Sequence, residues 1–170
     1  MVAPYTAPSA KIKVREMCYD FLYNCRNVMT LPNLYFSLEN ELLKNRSVTC
    51  VERDITIHNK QKRIAPKGIK LILGDITTAP IESYDGFFLD MCGFYSKSLE
   101  KVLDRIKPNS RVVITLLFAR EPKNLQKKID ITKRKSSYKK LLKDRHNLIT
   151  VDYYEYVSKH KMGVYFLIKQ

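Results

Sequence analysis

Apolar residues gather in short runs along this chain rather than in one long block. The runs at 28–31, 47–53, 69–74 and 84–90 are separated by segments with helical spacing, and a fifth, R-V-V-I-T-L-L-F-A at 111–119, is the most apolar of all. Buried runs alternating with amphipathic segments predict an α/β fold, a parallel sheet with helices on both faces. The unbroken run at 112–119 suits a central strand buried on both sides. Residues 11–26 place Ile12, Met17, Phe21, Leu22 and Cys25 roughly along one helical face, so a helix is expected to precede and cover the sheet. Leu34, Leu38, Leu42 and Leu43 line one face after Pro32, which predicts a helix over 33–44. Further helices are predicted at 54–62, opening on an Asp cap, and at 96–106, between Ser96 and Lys107-Pro108. Residues 148–157 and 163–169 read as a terminal antiparallel hairpin. Right-handed crossovers leave few topologies for this string, and the expected strand order is 3-2-1-4-5-7-6, with only the strand at 163–169 antiparallel to its neighbours.

A chain of 170 residues suits one domain that buries roughly 70% of its unfolded surface. Residues 1–10 carry two prolines and no basic-then-apolar signal pattern, so they read as a flexible leader to a domain at 11–170. The longest apolar run is far short of the roughly 20 residues a membrane span needs, so no membrane partner is expected, and the cytoplasm is the expected location. Cys18, Cys25, Cys50 and Cys92 lack C-x-x-C or zinc spacing and read as reduced, buried side chains. His58, His146 and His160 share no ligand spacing and read as surface residues, so no metal is expected. The net charge of +14, from 31 Lys and Arg against 17 Asp and Glu, changes the picture more. A field of that sign attracts polyanions over a long range.

Three of the first four runs end at a carboxylate: Glu52 in V-E-R-D, Asp75 in L-G-D-I and Asp90 in F-L-D-M-C-G. Ligands of parallel sheets bind outside the carboxyl ends of the strands, so these acids are expected on one rim, where they could grip an adenosine-containing ligand. Each has a structural alternative. Glu52 could cap the following segment, Asp75 could start a turn, and Asp90, after the buried G-F-F-L, is the hardest to explain that way.

The order helix, five strands with intervening helices, then hairpin resembles class I S-adenosylmethionine-dependent methyltransferases over residues 27–170. The resemblance implies a Rossmann-like seven-stranded sheet and S-adenosylmethionine as cofactor. It implies that Glu52 holds the ribose hydroxyls, that Asp75 lies beside the adenine amino group, and that Asp90 orients the acceptor. Asp90 and the following Met91-Cys92-Gly93-Phe94-Tyr95 stand where amino-methylating members have Asp or Asn, two prolines and an aromatic residue. Tyr95 is the aromatic candidate for stacking on a base; packing under the next helix is the alternative. The chain departs from the pattern at Met91-Cys92-Gly93 and at Thr30-Leu31-Pro32-Asn33, where the family has a glycine-rich cofactor loop and this chain has no glycine. Thr30, Leu31 and Pro32 are the expected cofactor-loop residues. A glycine-poor loop followed by V-E-R-D and D-x-C-G resembles small members encoded by phages and large DNA viruses.

Eleven of the twenty-six residues at 120–145 are Lys or Arg. Helix, a polar break near 133–137 and a second helix are expected there, with Arg120, Lys123, Lys127, Lys128, Lys133, Arg134 and Lys135 tracking a phosphate backbone and Tyr138 interleaved. The leading functional expectation is methyl transfer to a nucleic acid or nucleotide. The alternatives are a nucleic-acid-binding module of this fold without catalysis, and an enzyme of the same fold running another reaction on a nucleoside cofactor.

Overall fold

The computed structural model describes residues 9–32, 36–42, 44–93, 95–117, 134–157 and 161–170. Helix α1 (Ser9–Leu22) leads into β1 (Asn27–Thr30), α2 (Ser37–Leu42), β2 (Ser47–Glu52), α3 (Ile55–Ile64) and β3 (Lys70–Leu73). After a short 3-10 turn at Ile81–Ser83 come β4 (Gly86–Gly93), α4 (Lys97–Arg105), β5 (Arg111–Leu117), α5 (Arg134–His146), β6 (Leu148–Val157) and β7 (Lys161–Lys169). The seven strands form one sheet in the order β3-β2-β1-β4-β5-β7-β6, and β7 runs antiparallel to both of its neighbours. The expected topology is therefore the observed one.

Alternation along the strands divides the core in two. Val28, Val48, Cys50, Val113 and Phe166 face Val14, Cys18 and Leu22 of α1 and Leu38 and Leu42 of α2. Met29, Phe87, Leu89, Val112, Ile114 and Leu167 face Leu99, Val102 and Leu103 of α4 and Tyr138 and Leu142 of α5. The sheet is thus covered on both faces. Polar pins hold the edges of this arrangement. The Asp85 carboxylate accepts from the N–H groups of Arg26 and Asn27 at 2.9–3.1 Å, which fixes the entry of β1 beside β4. Arg111 donates to the Phe21 carbonyl at 2.6 Å and ties the end of α1 to β5. Arg105 donates to the Thr77 and Ala79 carbonyls at 2.7 Å and pairs with Glu82, so α4 holds the loop after β3.

Several expectations need correction. Ser9 and Ala10 already belong to α1, so the expected leader is shorter, and residues 1–8 lie outside the described residues. The helix expected over 33–44 is described only as Ser37–Leu42. Phe36 has φ 51°, so the backbone is not helical there, and its carbonyl takes the Asn40 N–H at 3.0 Å to open the helix. The fourth strand starts later than residue 84, because Tyr84 ends the short turn and reaches Thr49 Oγ1 at 3.0 Å while Asp85 serves β1. The break expected at 133–137 is helical from Arg134 onward, since Tyr138 and Leu142 anchor α5 in the core. His58 and His146 are buried, not at the surface; His160 lies outside the described residues.

Gly86 opens β4 where the side chains of Cys25, in the turn after α1, and Val28 of β1 pack against its backbone. A Cβ there would meet Cys25 Cβ at 2.8 Å, Cys25 Sγ at 2.9 Å and a Val28 methyl at 3.1 Å. Both partners are buried, so neither can swing away. Gly86→Ala is expected to lower unfolding stability by about 1–3 kcal/mol, measured by urea denaturation; an unchanged midpoint would contradict this packing.

Candidate active site

The site is set by where β1 stops. Thr30, its last residue, pairs in parallel register with Cys50 of β2 on one side and Phe88 of β4 on the other. Both neighbours run further, β2 by two residues to Glu52 and β4 through Asp90 to Gly93. Glu52 and Asp90 therefore stand at one height on either side of the gap, about 9–10 Å apart at the backbone, two strand spacings. They share the strand parity of Cys50 and Phe88, and so the α1/α2 face. The Leu31 N–H donates to the Phe88 carbonyl at 3.1 Å, closing the β1–β4 seam at the foot of the gap, with Leu31 and Pro32 half-buried above it. The strand order reverses at β1, the position where ligands of open α/β sheets bind.

Glu52 is half-buried, and its Oε1 accepts the Asp54 N–H at 2.8 Å. Asp54, not Glu52, caps α3, accepting from Thr56 and Ile57 at 2.7 and 3.0 Å. Asp75 follows Gly74, whose N–H donates to the Glu52 carbonyl at 2.9 Å, so the third acid joins the same rim. Asp75 also starts a turn, as its structural alternative expected: Oδ1 accepts the Thr77 N–H at 2.8 Å. That bond, helped by the Thr77 hydroxyl and nearby Arg53 and Lys101, holds its carboxyl below the usual range. Glu52, Asp75, Asp90, Thr30, Leu31 and Pro32 are thus brought together.

One residue of the rim has no counterpart among the sequence expectations. Glu39, on α2, is 1% exposed, with Oε2 lacking any partner among the described residues. Burial pushes its carboxyl above the usual range; its own N–H, the Thr30 hydroxyl and Arg15 act the other way, and Asp90 adds to the push. Thr30 Oγ1 also lies 3.3 Å from Cys50 Sγ. The only sequence signal for Glu39 was its neighbourhood, an acid beside Leu38 on the apolar side of a helix.

Other candidates lie elsewhere. Tyr95 is a correction: its ring is 5% exposed, packed 6.4 Å from Tyr138, and its hydroxyl meets His146 Nε2 at 2.5 Å. His146 Nδ1 is 2.7 Å from Asp104 Oδ1, which only accepts, so Nδ1 carries a hydrogen, and in the neutral ring Nε2 accepts from the Tyr95 hydroxyl. Tyr95 therefore takes the packing role and is not free to stack on a base. Arg120, Lys123, Lys127, Lys128 and Lys133 lie outside the described residues, as do Asn33 and Phe94. Arg134 and Lys135 begin α5, on the face opposite the acids, where Lys135 and Lys139 lie 4.5 and 5.9 Å from the Tyr153 ring centre. On the acid face the basic residues come instead from α1. One register row runs Asp90, Thr115, Val164, Tyr154, and Lys13 sits 5.3 Å from the Tyr154 ring centre. Among the described residues no cluster of His, Cys, Asp and Glu could hold a metal, and no helix is long and apolar enough to cross a membrane.

The sequence matches no family model and no curated protein. Solved structures do resemble the fold. A 1,6-didemethyltoxoflavin N1-methyltransferase of Burkholderia thailandensis, solved with that compound and S-adenosylhomocysteine, is 12% identical with a TM-score of 0.68, covering 95% of this chain and 79% of its own. The N-methyltransferase NodS of Bradyrhizobium japonicum, with S-adenosylhomocysteine, is 10% identical with a TM-score of 0.64, covering 95% and 88%. The protein aTrm5, in complex with tRNALeu, is 10% identical with a TM-score of 0.68, covering 98% of this chain and 47% of that one. The fold is thus the Rossmann-like one of S-adenosylmethionine-dependent methyltransferases.

The buried Tyr95–His146–Asp104 chain makes a separable claim. Tyr95→Phe leaves His146 Nε2 buried without its donor, and unfolding stability is expected to fall by about 1–3 kcal/mol. Ligand affinity at the rim is expected to stay unchanged in the same variant, measured by calorimetry beside denaturation. Loss of affinity with stability intact would return Tyr95 to the active site.

Proposed function

We propose that the protein is an S-adenosylmethionine-dependent methyltransferase acting on a nucleic acid or nucleotide. The observation that carries this reading is the meeting of Glu52, Asp75 and Asp90 at the strand ends around the β1–β4 switch point, in a fold shared with such enzymes. The donor set suits the cofactor: acceptor-only carboxylates flank a gap one strand wide, where hydroxyl, amino and ammonium donors need partners, and the buried Glu39 Oε2 lacks one among the described residues.

Glu52 would hold the ribose hydroxyls, since its Oε1 is shared with Asp54 N–H while the half-buried carboxylate keeps acceptor capacity. Asp75 would face the adenine amino group, and Thr30, Leu31 and Pro32 would form the floor between them. S-adenosylmethionine, when bound, supplies an electrophilic methyl group on a sulfonium. Asp90 would accept a hydrogen bond from an N–H of the target amine, which turns the nitrogen lone pair toward the methyl donor and gives the departing proton an acceptor. A nucleic-acid or nucleotide acceptor is supported by the +14 charge and by basic residues on both sides of the sheet, Lys13 of α1 over Tyr154 and Lys135 and Lys139 of α5 over Tyr153 of the edge strand β6. A viral or mobile-element origin belongs to the same reading and rests on the glycine-poor loop.

The absence of glycine from residues 30–32 favours one other reading, a nucleic-acid-binding module of this fold that no longer takes the cofactor. Titration with S-adenosylmethionine and S-adenosylhomocysteine separates the two. The first reading expects binding, and expects Glu52→Ala to weaken it by about 1–3 kcal/mol through lost charge-assisted hydrogen bonds. Silence toward both compounds, with nucleic acid still bound, selects the module.

Nucleic-acid affinity is expected to fall steeply with salt. Replacing Lys13, Lys135 and Lys139 together by Ala should flatten the log–log slope by up to about two to three units, near 0.9 per phosphate on duplex DNA and 0.7 on single strands. An identical slope in the triple variant would assign these lysines to a solvated surface, and the charge at residues 120–133 would then be the next to test.

A further inference from the structure

A carboxyl group is an expensive side chain to bury without a partner. Glu39 is 1% exposed, and its Oε2 has no partner among the described residues. It is not buried at random. It hangs from α2, the helix that follows the β1 turn, and meets the hydroxyl of Thr30, the residue at which β1 stops. The groups facing it come from every element around the gap: Arg15 and Cys18 from α1, Thr30 from β1, Cys50 from β2 and Asp90 from β4. Both Asp90 and Glu39 act on the buried Cys18 thiol and push it up, so both carboxyls lie on the α1 side of the sheet.

We propose that Glu39 receives the ammonium group at the amino-acid end of the cofactor, with Asp90 forming the other side of the cradle. This rests on the cofactor reading above and assigns to it a residue that the family resemblance did not. The ligand chemistry follows from the surroundings. A metal ion would need further ligands, and none cluster there among the described residues. A neutral hydroxyl would satisfy Oε2 but would do nothing for two acids that repel one another when both ionise. An ammonium offers three donors and a positive charge to both.

The arrangement has a proton consequence. Burial favours the protonated form of Glu39 and a bound ammonium favours the ionised one, so whatever proton the free carboxyl holds leaves its O–H bond and passes to solvent on binding. Binding should therefore release up to one proton. Arg15 opposes the effect from α1 and Asp90 strengthens it from β4.

The test compares S-adenosylhomocysteine with 5′-methylthioadenosine, which keeps the adenosine and thioether but lacks the amino-acid end. Both are titrated calorimetrically against wild type and Glu39→Gln in two buffers of different ionisation heat. Glu39→Gln should weaken S-adenosylhomocysteine about tenfold or more, the loss of a charge-assisted contact, and leave methylthioadenosine within about twofold. The proton released by the wild type with S-adenosylhomocysteine should vanish in the variant. An equal effect on both ligands, or none on either, overturns the assignment of Glu39 while leaving the cofactor reading standing. Failure of both ligands to bind the wild type overturns the cofactor reading itself.

Glu39→Gln preserves shape, and Glu39→Leu serves as a second variant that removes the polar group altogether. Folding is checked by denaturation against pH. A folded-state pKa raised above the unfolded 4.5 makes the native state hold a proton that the unfolded chain has given up, so wild-type stability should fall relative to Glu39→Gln as pH rises through and above that value. The same pH slope in both proteins would mean that Glu39 is ionised and already paired, which also overturns the proposal.

Discussion

The parallel pairing of β1 with both β2 and β4 is the constraint on which the rest of the structure depends. Because β1 is the shortest strand at this seam and ends at Thr30, its neighbours overrun it and leave a gap one strand wide. Glu52 and Asp90 owe their place to that overrun. Strand alternation then turns Glu52 and Asp90 to the same side, since both lie an even number of residues beyond the partners of Thr30. The site needs no special loop to bring its charges together; a difference in strand length is enough.

The segment between β1 and α2 contains no glycine. Phe36 takes the left-handed conformation, with φ 51°. An L-residue pays roughly 1–2 kcal/mol for that conformation. The ring of Phe36 is 1% exposed in the α1/α2 core, and burying an aromatic side chain there offsets the strain. The left-handed residues at Asn109 and Asn147, which end turns elsewhere, cost less because asparagine tolerates that region. Strain and a buried, incompletely paired carboxyl thus lie within four residues of each other at Phe36 and Glu39. Both are features that folding alone does not favour, and both border the candidate site.

The two faces of the sheet have separate chemistry. The α4/α5 face holds the Tyr95–His146–Asp104 chain and the Lys169 ammonium, which donates to the carbonyls of Leu103 and His146 at 3.1 and 2.6 Å. These groups satisfy one another and stitch α4, α5 and β7 together, which is a structural role. The α1/α2 face holds Glu52, Asp90 and Glu39, and Glu39 Oε2 has no partner among the described residues. A desolvated acid with an acceptor to spare is what a donor-rich ligand requires, and it is costly otherwise.

The sheet, its order and its antiparallel hairpin were legible in the sequence because the signal is periodic and local: apolar runs at 28–31, 47–53 and 111–119 cannot be buried any other way once helices alternate with them. The rim acids were legible for a related reason, since a carboxylate directly after a buried run must emerge where the strand emerges. What the sequence left open depends on contacts between distant segments. Whether Tyr95 stacks on a ligand or packs on α5 turns on His146, fifty-one positions away. The burial of His58 and His146 turns on which helix face meets the sheet, and the choice of α1 over α5 as the basic element on the acid face turns on the hand of the crossovers. Glu39 is the sharpest case. Its sequence neighbourhood reads as an ordinary helix with one acid in its first turn, and only the packing of α2 across the end of β1 buries that acid beside Thr30 and Asp90, because burial and electrostatic coupling are properties of the assembled volume and not of any stretch of chain.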